Sequence, residues 1–339
     1  MIAPVTHPYP PPGYGPWERV THDLTESLVE LGHDVTLFAA AGSETKANLV
    51  ATTSEPLEEI PAAGRRDEED RHIAAALESA ADADLDIVHS HLHVHVLRQA
   101  KRVACPLVTT LHGAAWDRAH HRLLRRHHRR PFVSLSDAER AFLPELNYVA
   151  TIPNGIDTEN FPPGDGSGGY LAFVGRLAPE KAPHLAVEVA GRSGHKLLVA
   201  GVIEDQHRAY AHDVLSSAGS EVDYLGPLDR AELSSMLRAA KALVMPLLWD
   251  EPFGLVVVES LASGTPVVAW DRGAMGEIID HGETGFLVAD VDEAVRAVSV
   301  VSDLVRRDCS ARARKRFSAR VMADRYARLY RALTSPSRR

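Results

Sequence analysis

Cysteine is nearly absent from this chain. It occurs twice in 339 residues, as Cys105 and Cys309, far apart and with no CxxC or His-bearing spacing. That excludes a disulfide framework and a cysteine-built zinc module, and leaves free thiols in a reducing cytoplasm as the expectation. Long apolar runs are missing too, since none approaches the roughly 20 residues that cross a bilayer. Met1 and the residues up to Pro16 lack a basic start followed by an apolar stretch, so no secretory signal is expected. Positive charge is in deficit: 37 Lys and Arg stand against 46 Asp and Glu, a formal net charge of -9, which argues against nucleic acid as a partner. The acidic excess lies in the first half, where residues 1–160 carry 15 Lys and Arg against 23 Asp and Glu. With 45% hydrophobic and 24% charged residues, the chain has the composition of a soluble globular enzyme.

What is present is an alternation of short apolar runs with helix-compatible stretches. Trp17, Val20, Leu24, Leu28 and Leu31 recur at three- and four-residue steps, Gly32 is placed to end the helix, and a strand at 35–39 follows. Further strands are expected at 87–88, 106–111, 132–135 and 148–152, and Ser136 with Glu139 has capping-box spacing just after Leu135. The Pro- and Gly-rich stretch 161–169 reads as a linker. The alternation then restarts, with strands expected at 170–174, 196–200, 222–225, 242–245 and 266–269. The fold class is therefore α/β, with two doubly wound domains whose parallel sheets are covered on both faces. Ligands are expected beyond the C-terminal ends of the strands.

The candidate chemistry gathers at such ends. Glu251 and Glu259 sit eight positions apart across an expected loop-to-helix junction. Within one helix that spacing is about 12 Å, so Glu251 is expected in the loop, facing one part of a long ligand, and Glu259 on the helix, facing another. Between them, the N–H groups of Phe253, Gly254 and Leu255 suit an anion at a helix N-terminus. Taken alone, the pair fits a cap and a solvated helix residue equally well. Gly175, Arg176 and Lys181 follow the strand at 170–174 and open a helix expected near Pro179. Arg176 as a planar fork and Lys181 as a point charge can converge on one diphosphate. The alternative is a solvated helix start, although basic residues there oppose the helix dipole unless an anion is bound. Gly13 and Gly15 flank Tyr14 in a proline-rich loop, either a plain turn or a place where backbone approaches a ligand closely. His112 ends the strand at 106–111 on the ligand side, or is a satisfied structural histidine.

Read in order, the segments YGPWERV with LGHDVTLFAA, DIVHSH, TTLHG, VSLSDAER, IPNGID, LAFVGRLAPEK, EPFGLVVVES, SGTPVVAWDRGAMGEIIDHGETGFLV and RFSARVMADRY make a pattern over nearly the whole chain. It resembles the retaining glycosyltransferases of family 4. The resemblance implies the GT-B fold, two Rossmann-like domains facing each other across a cleft. It implies an acceptor-binding domain at 1–160, a nucleotide-sugar donor-binding domain at 161–315, and a closing helix at 316–339 packed back on the first domain. It assigns the donor sugar hydroxyls to Glu251, the ribose to Glu259, the diphosphate to Arg176 and Lys181, the transferred sugar to His112, and the N-terminal glycine loop to Gly13 and Gly15. The implied reaction moves a sugar with retention from a nucleotide diphosphate sugar to an acceptor hydroxyl, without metal or cofactor. UDP-sugar is favoured as donor, with GDP-mannose second. No protein nucleophile is evident, so front-face attack with the departing phosphate taking the acceptor's proton is the implied route. Two departures stand out. Pro16 occupies the place of a second glycine, so the loop loses one backbone donor or uses Pro16 to start the helix at Trp17. The first strand, after Met1-Ile2-Ala3-Pro4, is short. A non-catalytic nucleotide-sugar binder, or another GT-B enzyme such as a nucleotide-sugar epimerase, is the alternative.

The remaining polar clusters are weaker signals. Asp82 and Asp84 have a metal-binding Asp-x-Asp spacing but precede a strand, away from the ligand side. His89, His91, His93 and His95 share a face only if their strand runs on past His89. No metal site is expected from either. Glu18 and Glu277 match family positions near the cleft and are second-rank candidates. Residues 118–130 hold six arginines and four histidines with no acid. Arg118, Arg122, Arg125 and Arg129 are expected on one helical face. That face suits solvent, an anionic acceptor, or a weak peripheral contact with the inner membrane surface. Leu123 and Leu124 are its only apolar residues, too few for deep insertion.

Overall fold

The computed structural model describes residues 1–13, 15–92 and 94–335. Tyr14 of the glycine loop and His93 of the histidine array lie outside the described residues. The chain forms two compact units, one of Met1–Gly155 together with the segment from Ala319 onward, the other of Ile156–Ser318.

In the first unit, strand β1 (Thr36–Ala40) pairs in parallel with β2 (Asn48–Thr53), and β3 (Val88–Ser90), β4 (Leu107–Thr110), β5 (Phe132–Ser134) and β6 (Tyr148–Thr151) form a second parallel set in that order. The short first strand has shrunk to Ile2, which bridges Phe38 of β1 and Ser90 of β3 and so joins the two sets. β2 has little sequence signal because it is an edge strand with a single fully buried residue, Thr53. The helix Pro16–Glu30 buries Val20, Leu24 and Leu28 at three- and four-residue steps. It begins at Pro16 itself, whose missing N–H is harmless at a helix start. The helix Ala319–Thr334 packs against it, turning Met322, Ala323, Tyr326 and Ala327 inward.

The second unit is one six-stranded parallel sheet. Its strands are β7 (Leu171–Val174), β8 (Leu197–Ala200), β9 (Val222–Tyr224), β10 (Ala242–Met245), β11 (Val267–Trp270) and β12 (Gly285–Val288), in the order β12-β11-β10-β7-β8-β9. β7, β10 and β11 are apolar throughout, as strands covered on both faces must be. The chain runs from β7 outward through β8 and β9, then returns to β10 on the other side of β7. The direction of winding reverses between β7 and β10, and the loops leaving these neighbours diverge to form a crevice at the switch point.

Two expectations need correction here. Stretch 161–169 is no free linker, because the N–H groups of Gly164, Gly166 and Gly168 donate to carbonyls of Ser263, Arg238 and Ala239, and Arg306 donates to the carbonyl of Gly164. Its prolines and glycines serve close backbone docking within the second unit. The helix after β7 starts at Pro183, four residues beyond the expected place. Residues 178–181 first make a separate turn, and Ala182 caps the helix in the left-handed region, with φ 51°.

Candidate active site

Two of the predicted groups meet at the switch point. Glu251 lies in the loop after β10, before the helix Leu255–Ala262, and its carboxylate pairs with the ammonium of Lys181 in the turn after β7. Both side chains are largely buried, at 13% and 14% exposure, so the pair is shielded from solvent screening. Lys181 also lies over the Trp249 ring, 4.7 Å from its centroid, a cation–π contact that sequence reading missed. Ala182, next in sequence, holds a backbone conformation uncommon for a residue with a side chain. Its strain sits one residue after Lys181.

Glu251 is fixed from behind by a second loop. Ala274 N–H donates to the Glu251 carbonyl at 2.8 Å. A side chain at Gly273, where φ is +56°, would come within 2.3 Å of that carbonyl oxygen. Gly273 is thus the residue that lets the loop after β11 close on Glu251. Gly254, the N-cap of the Leu255–Ala262 helix, has φ 101°, and a Cβ there would meet the Met275 side chain at 2.8 Å. Among the described residues, the N–H groups of Phe253, Gly254 and Leu255 donate to no acceptor. They are the first donors of a helix whose positive dipole end faces the loop. Glu259 lies one turn inside that helix and is 5% exposed, which removes the solvated-residue reading of the sequence.

Arg176 is held differently from Lys181. Its guanidinium bonds Glu180 and Glu204, each at 2.8 Å, whereas Lys181 pairs with Glu251, so separate carboxylates balance the two cations. Convergence on one diphosphate would require both to exchange partners. Gly175 donates its N–H to Ala200 within the sheet, so it offers space and no hydrogen bond. Glu277 lies half-buried on the short helix Met275–Ile278, and its carbonyl accepts from Arg316.

In the first unit His112 follows β4, is 6% exposed and has φ 48°. Its Nε2 lies 2.8 Å from Nδ1 of His91, and the next N–H, that of Gly113, donates to Glu139 at 2.5 Å. Glu139 also accepts from the Leu135 N–H at 2.8 Å. Burial pushes its carboxyl up to about 7, against the pull of these two donors. Of the expected capping box, Ser136 caps the helix Asp137–Arg140 by accepting from the Glu139 N–H, while the Glu139 carboxyl takes the Leu135 N–H and holds the loop of His112 through Gly113.

Gly13 gives its carbonyl to Arg19 at 2.8 Å. Gly15 is the N-cap of the Pro16–Glu30 helix, where a Cβ would meet Pro11 at 2.8 Å. Glu18, in the first turn of that helix, is 2% exposed, and burial pushes its carboxyl up.

The histidine array is broken, because β3 ends at Ser90. The His89 and His91 rings lie against each other, tilted by 44° with centroids 4.1 Å apart, while His95 turns to Arg66. Asp82 and Asp84 are exposed at the end of the helix Ala62–Asp82. The helix Arg118–Arg126 presents Arg118, Arg122 and Arg125 to solvent, with Arg125 bonded to Glu145 at 2.7 Å. Arg129 lies beyond its end, so the expected four-arginine face is shorter by one. Leu124 is fully buried in the unit's core and unavailable to a membrane. Among the described residues no helix is long and apolar enough to cross a membrane.

The family model "Glycosyltransferase Family 4" matches residues 17–160, and "Glycosyl transferases group 1" matches residues 159–317. The glycogen synthase of Mycobacterium tuberculosis is 37% identical over 177 residues, 48% of this chain and 41% of that protein. The chain thus spans less than half the length of that relative. The phosphatidyl-myo-inositol mannosyltransferase of Mycobacterium leprae is 28% identical over 74% of both chains. An Anabaena protein solved in complex with UDP-glucose superposes with a TM-score of 0.74, at 18% identity over 98% of both chains. That likeness is one of fold.

Proposed function

We infer the activity from family: the chain belongs to the GT-B glycosyltransferases of the family 4 type. Within it we propose a retaining, metal-independent hexosyl transfer from a nucleotide diphosphate sugar to an acceptor hydroxyl. The observation that carries this reading is the Lys181–Glu251 pair at the switch point, beside the undonated N–H groups of Phe253, Gly254 and Leu255. On donor binding, the ammonium of Lys181 moves to a diphosphate oxygen and frees Glu251 to accept hydrogen bonds from the sugar. Arg176 leaves Glu180 or Glu204 for the same diphosphate, and Glu259 takes the ribose.

As the anomeric carbon–oxygen bond breaks, negative charge grows on the leaving phosphate. Lys181, Arg176 and the helix N-terminus stabilise that charge in a site of low solvent exposure. The acceptor hydroxyl attacks on the face the leaving group departs from, and its proton passes to the leaving phosphate oxygen. His112 steadies the transferred sugar and takes no proton. We place the acceptor on the first unit, with Arg118, Arg122 and Arg125 as weak contacts should it be anionic, and the reaction in the cytoplasm, where Cys105 and Cys309 stay reduced.

UDP-sugar is the favoured donor, supported by the UDP-glucose complex of the Anabaena protein. GDP-mannose is second, in view of the mannosyltransferase relative. Thermal-shift titration with UDP-glucose, GDP-mannose and ADP-glucose tests this, since a ligand at 100 times its dissociation constant adds about 2.7 kcal/mol. A rise with one donor, together with release of its nucleoside diphosphate over time, is expected. No shift with any of the three would sink the proposal.

A further inference from the structure

Beneath His112 lies a set of buried rings and hydroxyls that the proposed reaction does not use. His91 Nδ1 faces His112 Nε2 at 2.8 Å, and His91 is 1% exposed. The His91 ring also lies against that of His89, tilted by 44°. Both nitrogens of His89 are engaged, Nδ1 with the Tyr330 hydroxyl at 2.7 Å and Nε2 with Thr110 at 2.8 Å, and Thr110 in turn meets the Tyr326 hydroxyl at 2.8 Å. The His112 loop is held by Glu139 through the Gly113 N–H.

Only one proton fits between His91 Nδ1 and His112 Nε2. Whichever ring supplies it fixes the tautomer of the other. Burial drives the His91 imidazole well below its ordinary range, so this ring is neutral and carries a single proton. Among the described residues its Nε2 is buried without a partner. With the proton on Nε2, His91 would bury an orphaned N–H donor, which folded proteins rarely tolerate. With the proton on Nδ1, the His91 donor is paired and the second N–H of the couple passes to His112 Nδ1, likewise buried, on the ring that the proposed function sets against the transferred sugar, where a sugar oxygen can accept it.

We propose that His91 is a positioning residue for sugar transfer: it donates from Nδ1 to His112 Nε2 and so holds His112 as a neutral ring protonated at Nδ1. In that state His112 is a hydrogen-bond donor with no lone pair left to act as a base. This rests on the reading of His112 as the residue that steadies the transferred sugar, and it gives a physical reason why His112 takes no proton from the acceptor.

The test has a spectroscopic and a kinetic arm. Long-range proton–nitrogen NMR of protein labelled at its histidine side chains reads the tautomer directly, with the His112 signals identified by their loss in His112→Gln. We expect His112 protonated at Nδ1 in the wild type, loss of that fixed state in His91→Phe, which keeps a ring without a donor, and its return in His91→Asn, whose amide can donate from the same place. Turnover is measured on whichever of UDP-glucose, GDP-mannose or ADP-glucose the wild type consumes. His91→Phe should lower kcat at least about tenfold with KM little changed, and His91→Asn should recover most of it. A wild-type His112 protonated at Nε2 overturns the proposal whatever the variants do. So does an altered tautomer in His91→Phe with kcat unchanged. If His112→Gln also keeps full turnover, the failure lies in the role given to His112. If no donor is consumed by the wild type, the transferase reading fails and the NMR arm alone decides how His91 holds His112.

Discussion

Glu139→Gln should change the sign of its effect on stability between about pH 5 and about pH 8. The Glu139 carboxyl is fully buried, accepts the N–H groups of Leu135 and Gly113, and has its pKa raised from 4.5 to about 7 by burial. A carboxyl with a raised folded pKa contributes stability in full below its unfolded value, and that contribution fades as pH rises through the folded value. For a rise from 4.5 to about 7, linkage gives a loss of about 2.5 kcal/mol between pH 5 and pH 8 in the wild type. Glutamine does not titrate. Its amide offers one acceptor to two N–H donors, which costs about 1–2 kcal/mol at every pH. The variant should therefore be about 1 kcal/mol less stable than wild type near pH 5 and about 1 kcal/mol more stable near pH 8. Urea unfolding at half-unit pH steps, following the transition of the unit containing Glu139, reads this as a crossing of midpoints. The raised carboxyls of Glu18 and Glu69 are common to both proteins and cancel in the difference. A difference constant within about 0.5 kcal/mol across the range would show that Glu139 is ionised throughout, and would refute the burial argument.

Other outcomes follow from the second unit. Glu251→Ala and Arg176→Ala should each cut donor turnover more than about tenfold, a loss of about 1.4 kcal/mol or more of transition-state stabilisation, and wild-type turnover in either would refute the role given to that residue. Gly273→Ala puts a methyl group 2.3 Å from the Glu251 carbonyl oxygen at a φ of +56°. It should destabilise the protein by about 2 kcal/mol or more and lower turnover with it, and unchanged urea midpoints would count against that packing. Trp249→Leu removes the ring under Lys181 and should weaken UDP binding by about 0.5–2 kcal/mol in isothermal titration, with Trp249→Phe in between. Cys309 is buried, with its thiol pushed up to about 11, whereas Cys105 is partly exposed. Iodoacetamide on the native protein should label Cys105 first, and equal labelling would contradict the burial of Cys309.

The sheet strands were legible where both faces are buried, because an apolar run such as that of β7, β10 or β11 has no competing interpretation. β2 and β12 were not, since one is an exposed edge and the other opens on Gly285. The spacing of Glu251 and Glu259 already implied one acid in a loop and one on a helix, which is where they lie. What the sequence could not carry are partners brought together by topology. Trp249 under Lys181, Gly273 against Glu251, and Glu139 holding the loop of His112 join elements between 20 and 100 residues apart. Local signals also competed: Pro179 has the look of a helix start, but the chain makes one more turn and caps at Ala182. Arg176 and Lys181 looked like a free cationic pair because two of the carboxylates that neutralise them, Glu204 and Glu251, come from the loops after β8 and β10, and only Glu180, four residues from Arg176, is a sequence neighbour.

The first unit is assembled from both ends of the chain, with the helix Ala319–Thr334 supplying Tyr326 and Tyr330 to the rings behind His112. During synthesis the second unit, continuous from Ile156 to Ser318, leaves the ribosome complete while the first still lacks this helix. Until residues near Tyr330 emerge, His89 and Thr110 have no phenol to bond, and the core face of Pro16–Glu30 has no cover. The unit begun first is therefore the one finished last, and a nascent chain stopped at Ser318 would carry a folded second unit beside a first unit open at its polar core.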